Sequence, residues 1–235
     1  MQSLRSFFYT TFFFAASLLF GLVIFCAGLL PYRTRYSLAR GWAHTGLWGV
    51  RVFCGLDYIV EGTEHIPPGS HISYWRHSSA WETMAQALIF PPQAWVLKRE
   101  ILWIPLVGWA TMVLKPIAIN RKAQSAAVNQ VVTQGAARIA EGIWVLIFPE
   151  GTRMGVGERR RYGLSGALLA TQTGAKIIPV AHNAGRYWGR RGLLKKPGTV
   201  RVVIGPAIDT LGRDPREVSD EARAWIDAKV AELGG

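Results

Sequence analysis

Between Arg5 and Arg33 the chain runs for 27 residues without a single charge. A bilayer core is crossed by about 20 apolar residues in a helix. Segment 6–32, rich in Phe and Leu, exceeds that length and is expected to be a membrane anchor, either one helix or a two-helix hairpin. A secretory signal has an apolar region of about 7–15 residues ending in small residues at its cleavage site. Segment 7–30 is longer, no small-x-small site follows it, and no lipobox precedes Cys26. The expectation is therefore a retained anchor. Arg33, Arg35, Arg40 and Arg51 follow the run, with only Arg5 and the amino terminus before it. Cytoplasmic flanks carry the excess of Lys and Arg, so the remainder is expected on the cytoplasmic face, the bacterial inner membrane being the expected site. Segment 41–56 carries Trp42, Trp48 and Phe53 among few charges. It reads equally as an interfacial helix and as a helix packed on the globular core.

Setting the anchor aside, about 200 residues remain, enough for one domain with a sizeable core. The expected division is 1–56 for the anchor and interfacial helix and 57–235 for the catalytic domain. Net charge is +12, which attracts polyanions, either nucleic acid or anionic lipid head groups. The anchor favours lipid, and no zinc finger, helix-turn-helix or aromatic RNA-binding signature is present, so a nucleic-acid partner is not expected. The two cysteines, Cys26 and Cys54, form no disulfide framework and no metal spacing.

Downstream, short β-prone runs alternate with helical patterns. Strands are expected at 58–62, 71–75, 94–98, 117–119, 144–148, 177–181 and 200–204. Helices are expected at 79–90, stopped by Pro91-Pro92, at 101–113 beside the membrane, at 124–141 with an amphipathic pattern, at 164–173 before Gly174, and from Asp214-Pro215-Arg216-Glu217, a cap followed by Pro and Glu, to about 233. Such alternation predicts an α/β domain with a mixed central sheet flanked by helices.

Two segments carry chemistry. In Trp75-Arg76-His77-Ser78-Ser79-Ala80-Trp81-Glu82 a histidine precedes a carboxylate by five positions. A His is a useful general base near neutral pH when a carboxylate fixes its tautomer and stabilises the imidazolium. On one continuous helix five positions place the two side chains about 140° apart, so a turn must separate them. A strand ending near Trp75, a cap at Ser78 or Ser79 and Glu82 in the first helical turn supply that turn. The second segment is Phe148-Pro149-Glu150-Gly151-Thr152-Arg153 after a buried strand. Gly151 permits a tight turn, Arg153 offers a planar fork matched to phosphate, and Glu150 is placed to hold that Arg or to bond a ligand hydroxyl. There is no Gly-x-Ser-x-Gly turn and no Gly-x-x-x-x-Gly-Lys-Ser/Thr loop, which disfavours a serine hydrolase and an ATPase.

With these residues in view, the chain resembles the 1-acyl-glycerol-3-phosphate acyltransferase (lysophosphatidic acid acyltransferase) family across about 58–209. Four blocks match in order: His77 to Glu82; Pro116-Ile117-Ala118-Ile119-Asn120-Arg121, an apolar stretch closing in Arg; Phe148 to Arg153, which matches the family's block without change; and Ile177-Ile178-Pro179-Val180. Lys98-Arg99-Glu100-Ile101 resembles a family segment with a substrate-contacting Lys. Three positions depart from the pattern: Glu82 for the usual Asp, Ser78 where the family often has Gln, and Arg76 for the common Asn.

The resemblance implies that His77, oriented by Glu82, deprotonates the sn-2 hydroxyl of a lysophosphatidate, and that the alkoxide attacks a thioester. It implies Lys98, Arg121, Glu150, Gly151, Thr152 and Arg153 as substrate-binding residues. Oxyanion donors are expected among backbone N–H groups just after His77. No metal or organic cofactor is expected beyond acyl-CoA or an acyl carrier protein thioester as co-substrate. Expected partners are membrane lipid, lysophosphatidate and an acyl carrier protein as the alternative to CoA; the basic groups 159–161, Arg190, Arg191, Lys195 and Lys196 read equally as a solvated face and as a surface for anionic lipid or an acidic carrier protein. Two alternatives stay open: an acceptor such as lyso-ornithine lipid, and a lipid-binding protein that has lost catalysis.

Overall fold

The computed structural model describes residues 1–120, 123, 125–190 and 192–234. The uncharged run forms helix α1 (Gln2–Cys26), and a short 3-10 turn at Ala27–Leu29 leads to Pro31 and helix α2 (Tyr32–Cys54). Together they make a hairpin. Glycines let it close tightly: a Cβ at Gly46 would lie 2.3 Å from Met84 Sδ and 2.7 Å from the Phe13 ring. Helix α2 ends at Gly55 in the left-handed conformation (φ 69°), its N–H donating to Arg51 O.

The rest is an α/β domain. Its seven strands are β1 (Leu56–Glu61), β2 (Ile72–Trp75), β3 (Gln93–Lys98), β4 (Ile117–Ile119), β5 (Trp144–Ile147), β6 (Ile177–His182) and β7 (Gly198–Ile204). The sheet order is β1-β7-β6-β2-β5-β3-β4, every pair parallel except β6 with β7. The expected mixed sheet is therefore present. Its helices are α3 (Glu82–Ile89), α4 (Val107–Met112), α5 (Ser125–Ala140), α6 (Ser165–Thr173), α7 (Ala184–Tyr187) and α8 (Pro215–Glu232).

Both faces of the central strands are buried, which explains their unbroken apolar runs. Trp75, Trp144, Leu146, Ile178, Val180 and Val202 point into one core with α2 and α3. Ile72, Tyr74, Val145, Ile147 and Ile177 alternate into a second core shared with α5, α6 and α8. Helix α1 joins the first core through Tyr9, which packs edge-on to Trp188 at 5.6 Å. At its other end Ile24 is buried with Ala39, Ala110 and Leu114. The helix thus lies along the domain at both ends, with Phe7, Leu19, Leu22 and Phe25 exposed on its outer face. Gln2–Leu29 is long and apolar enough to cross a membrane (mean hydropathy 2.5), with 11 % of its most apolar window buried against protein.

Two expectations need correction. The helix expected at 101–113 is broken: Arg99–Trp103 is a 3-10 turn, Pro105 and Leu106 (φ 61°) reverse the chain, and only Val107–Met112 is α-helical. Proline removes a donor and clashes with the preceding turn. Lys195, grouped with surface cations by sequence, is 2 % exposed. Its ammonium donates to Thr10 Oγ1 of α1 and to Leu193 O and lies over the Tyr9 and Trp188 rings.

Candidate active site

Open α/β sheets bind ligands beyond the carboxyl ends of their strands. Here His77 follows β2, Phe148 to Arg153 follow β5, and Lys98 ends β3, on neighbouring parallel strands. Arg121, expected to bind phosphate beyond β4, lies outside the described residues.

The turn required between His77 and Glu82 is present. Ser79 Oγ accepts from Trp81 N–H at 3.1 Å, and α3 begins at Glu82. Glu82 Oε1 then accepts three hydrogen bonds: from Ser78 N–H (2.9 Å), from Ser79 N–H (2.8 Å) and from His77 Nδ1 (2.9 Å). The Glu82 side chain is fully buried and that of His77 is 16 % exposed. Burial pushes the Glu82 carboxyl up, but the His77 hydrogen bond, the neighbouring His182 and His77 imidazoles and the Ser79 amide outweigh it and hold the group below the usual range. An ionised Glu82 fixes the proton on His77 Nδ1 and leaves Nε2 as the basic nitrogen. The ring stacks on Phe148 at 4.0 Å and 22°. The Ser78 and Ser79 amides, the first backbone donors after His77, are committed to Glu82, whose carboxylate reaches back over the helix start.

The two blocks are tied together: Met154 N–H donates to His77 O at 2.7 Å. Gly151 adopts φ 70°, turning the chain so that Gly151, Thr152 and Arg153 line the cleft while Glu150 turns inward. Glu150 therefore neither braces Arg153 nor faces the cleft. It lies 3.5 Å from the buried Arg76 guanidinium. Burial pushes its carboxyl up to about 7, and Arg76 limits the rise. Arg76 is fixed in turn: its guanidinium donates to Glu158 O, and its own carbonyl accepts from His182 Nε2 at 2.8 Å. The Nδ1 of His182 accepts from Ala184 N–H at 3.3 Å, so this buried ring is a neutral structural tautomer. Burial accordingly lowers its pKa.

A cavity of about 870 Å³ opens beside His77. Its mouth holds Lys98, Thr152, Arg153 and Arg190, and its depth is apolar, formed by Phe13, Phe20 and Ile24 of α1, Trp95 of β3 and Leu114 just after α4. Arg153 Nε is buried without a hydrogen-bond partner among the described residues. Lys98 makes no ion pair with a described residue, whereas Arg190 is 3.0 Å from Glu158 Oε2. Sequence reasoning did not assign Arg190 or the α1 side chains to this site. They come from distant segments that only the fold brings together.

Residues 57–183 match the family model described as Acyltransferase. The chain is 40 % identical over 238 residues to the 1-acyl-sn-glycerol-3-phosphate acyltransferase of Pseudomonas aeruginosa, covering 99 % of this chain and 93 % of that one. This chain belongs to the acyltransferase family. Similarity extends to the 1-acyl-sn-glycerol-3-phosphate acyltransferase of Borreliella burgdorferi (29 % identity, 76 % of this chain, 71 % of that one). The crystal structure of the 1-acyl-sn-glycerophosphate acyltransferase PlsC of Thermotoga maritima shares the fold, with a TM-score of 0.80 at 20 % identity over 99 % of this chain and 98 % of that one. The acyltransferase match spans the His77 and Phe148 blocks, β1 to β6 and the intervening helices.

Proposed function

We propose that this acyltransferase moves a fatty acyl group from a thioester to the sn-2 hydroxyl of 1-acyl-glycerol-3-phosphate, giving phosphatidic acid. One observation carries the reading: the His77–Glu82 pair opens onto a cavity that is cationic at its mouth and apolar in its depth. That combination suits an acceptor with a phosphate at one end and an acyl chain at the other. It also accords with the names of the relatives.

In the reaction His77 Nε2 takes the hydroxyl proton while Glu82 stabilises the imidazolium. The oxygen forms a bond to the thioester carbonyl carbon, the C–S bond breaks, and the leaving thiolate recovers the proton from His77. Chemistry of this kind requires no metal or organic cofactor beyond the thioester, carried on CoA or on an acyl carrier protein. Lys98 and Arg153 are assigned to the acceptor phosphate, which carries close to two negative charges at neutral pH. Glu150 supports that site from behind through Arg76. The exposed apolar face of α1 supports association with a membrane, and the arginines of α2 support the anionic cytoplasmic face as the side on which the domain lies.

The test is labelled acyl transfer by purified protein with lysophosphatidate and with lyso-ornithine lipid, wild type beside His77→Ala and Glu82→Gln. Transfer to lysophosphatidate that disappears in both variants is expected. Preference for the phosphate-free acceptor overturns the assignment of the cations, and undiminished transfer by His77→Ala overturns the mechanism.

A further inference from the structure

The fourteen residues 101–114 contain no charge, yet they cannot span a bilayer, which takes about 20 helical residues. They are also interrupted at Pro105–Leu106, where Leu106 has φ 61°. The reversal presents Trp103, Ile104, Trp109 and Met112 to the outside, 80, 49, 39 and 52 % exposed. Four large apolar side chains exposed along the reversal and the short helix α4 that follows it are unusual for a surface facing water.

This surface is continuous with the outer face of α1. The Trp109 and Phe25 rings are 5.6 Å apart. Gly21 of α1 accepts the Leu106 backbone so closely that a Cβ would meet it at 3.3 Å, and a Cβ at Gly28 would meet Val113 at 3.1 Å. The opposite side of the segment, through Ile101, Val107, Thr111 and Leu114, lines the cavity that contains His77. Lys98 and Arg99, exposed just before the segment, sit where head groups would lie.

We propose that residues 101–114 form a second lipid-inserting element, dipping into the boundary of the hydrocarbon beside α1 and forming the wall between bilayer and cavity. Trp rings favour that depth, with an apolar body and a polar N–H. The inference extends the membrane association of α1 and does not depend on which acceptor is acylated.

The test places an environment-sensitive NBD label at Trp103→Cys, at Leu19→Cys on the outer face of α1 and at Leu211→Cys. Leu211 is 80 % exposed beside Gly174 at the end of α6. Cys26 is replaced by Ser, and Cys54 is buried and stays. Each protein is reconstituted in phosphatidylcholine–phosphatidylglycerol vesicles containing shallow nitroxide lipid. Quenching at position 103 comparable to position 19 and about threefold above position 211 is expected for an interfacial segment. Quenching at 103 no greater than at 211 overturns the inference. Acyl transfer by the same labelled proteins separates the two readings. Intact transfer with an unquenched 103 removes only the lipid contact, whereas a quenched 103 without transfer to lysophosphatidate removes only the proposed reaction.

Discussion

Arg76 Nη1 lies 3.5 Å from Glu150 Oε1 with both side chains buried, joining the residue before His77 to the turn that presents Gly151, Thr152 and Arg153. The pair is strained in charge because burial pushes the Glu150 carboxyl up to about 7. A carboxyl whose pKa is higher folded than unfolded binds more protons in the native state between the two values. Its contribution to stability is therefore greatest at low pH and falls as pH rises from about 4.5 to about 7, then levels off. Glu150→Gln lacks this titration. Relative to wild type, the variant should gain stability across that window, on the order of 3 kcal/mol in total, and show a constant difference above it. Thermal midpoints of the two proteins measured in parallel from pH 4.5 to 8 check this, and parallel curves count against it.

Removing the other partner has a different limit. Arg76→Met leaves Glu150 without its cation, but the carboxyl escapes by taking up a proton. The expected cost is therefore about 2 kcal/mol, mainly the lost charged hydrogen bond to Glu158 O, rather than the larger penalty of a stranded buried charge. In the Arg76→Met background Glu150→Gln should be nearly neutral at pH 7. A double-mutant cycle in urea reports the coupling.

The carboxylate at position 82 poses a sharper question, because the family's usual residue there is Asp. Glu82 Oε1 meets His77 Nδ1 and the Ser78 and Ser79 amides at 2.8–2.9 Å at once. Shortening the side chain by one methylene withdraws it from all three partners. Glu82→Asp should therefore lose activity despite restoring the family residue, with kcat down about 10- to 100-fold, while Glu82→Gln falls about 10²- to 10⁴-fold because an amide does not stabilise the imidazolium. KM for both substrates should change little. A Glu82→Asp enzyme as fast as wild type would show that the local backbone adapts freely.

The architecture was legible where local signals and global burial agree. Trp144-Val145-Leu146-Ile147 reads as a two-sided strand because it is one. Asp214 caps α8 as its spacing with Pro215 and Glu217 implied, accepting from Arg216 N–H at 2.7 Å. The turn between His77 and Glu82 followed from helical geometry alone. What escaped was set by contacts between distant segments. Lys195 has no local sign of burial, since its partners Tyr9 and Thr10 are almost the whole chain away. Arg76 reads as a surface cation until β6, α8 and the Glu150 turn close over it. Helix α7, four residues long, carries too few positions to show a period.

Lys195 gives those distant contacts a measurable weight. It ties the loop before β7 to α1, which walls the cavity. Lys195→Met keeps the buried methylenes and removes a desolvated charge, so it should cost only about 1 kcal/mol, whereas Lys195→Ala opens a cavity and should cost about 3 kcal/mol. Thermal unfolding in detergent ranks the two. Equal losses would mean that the ammonium contacts, not the packing, hold α1 in place.

The cations at the cavity mouth should separate by burial. Arg153 has a buried Nε without a partner among the described residues, whereas Arg190 is half-exposed and already paired with Glu158. A bidentate Arg–phosphate contact in a partly dry site is worth more than one screened by solvent. Arg153→Ala should thus lower kcat/KM for lysophosphatidate about 30- to 100-fold, corresponding to about 2–3 kcal/mol. Arg190→Ala should lower it by less than about fivefold, an effect that fades as salt is raised. Because the phosphate is bound in both ground and transition states, the Arg153 effect should fall mainly on the acceptor KM. Steady-state kinetics with lysophosphatidate at two ionic strengths distinguishes them, and a larger, salt-sensitive loss at Arg190 would move the phosphate from Arg153 to the rim.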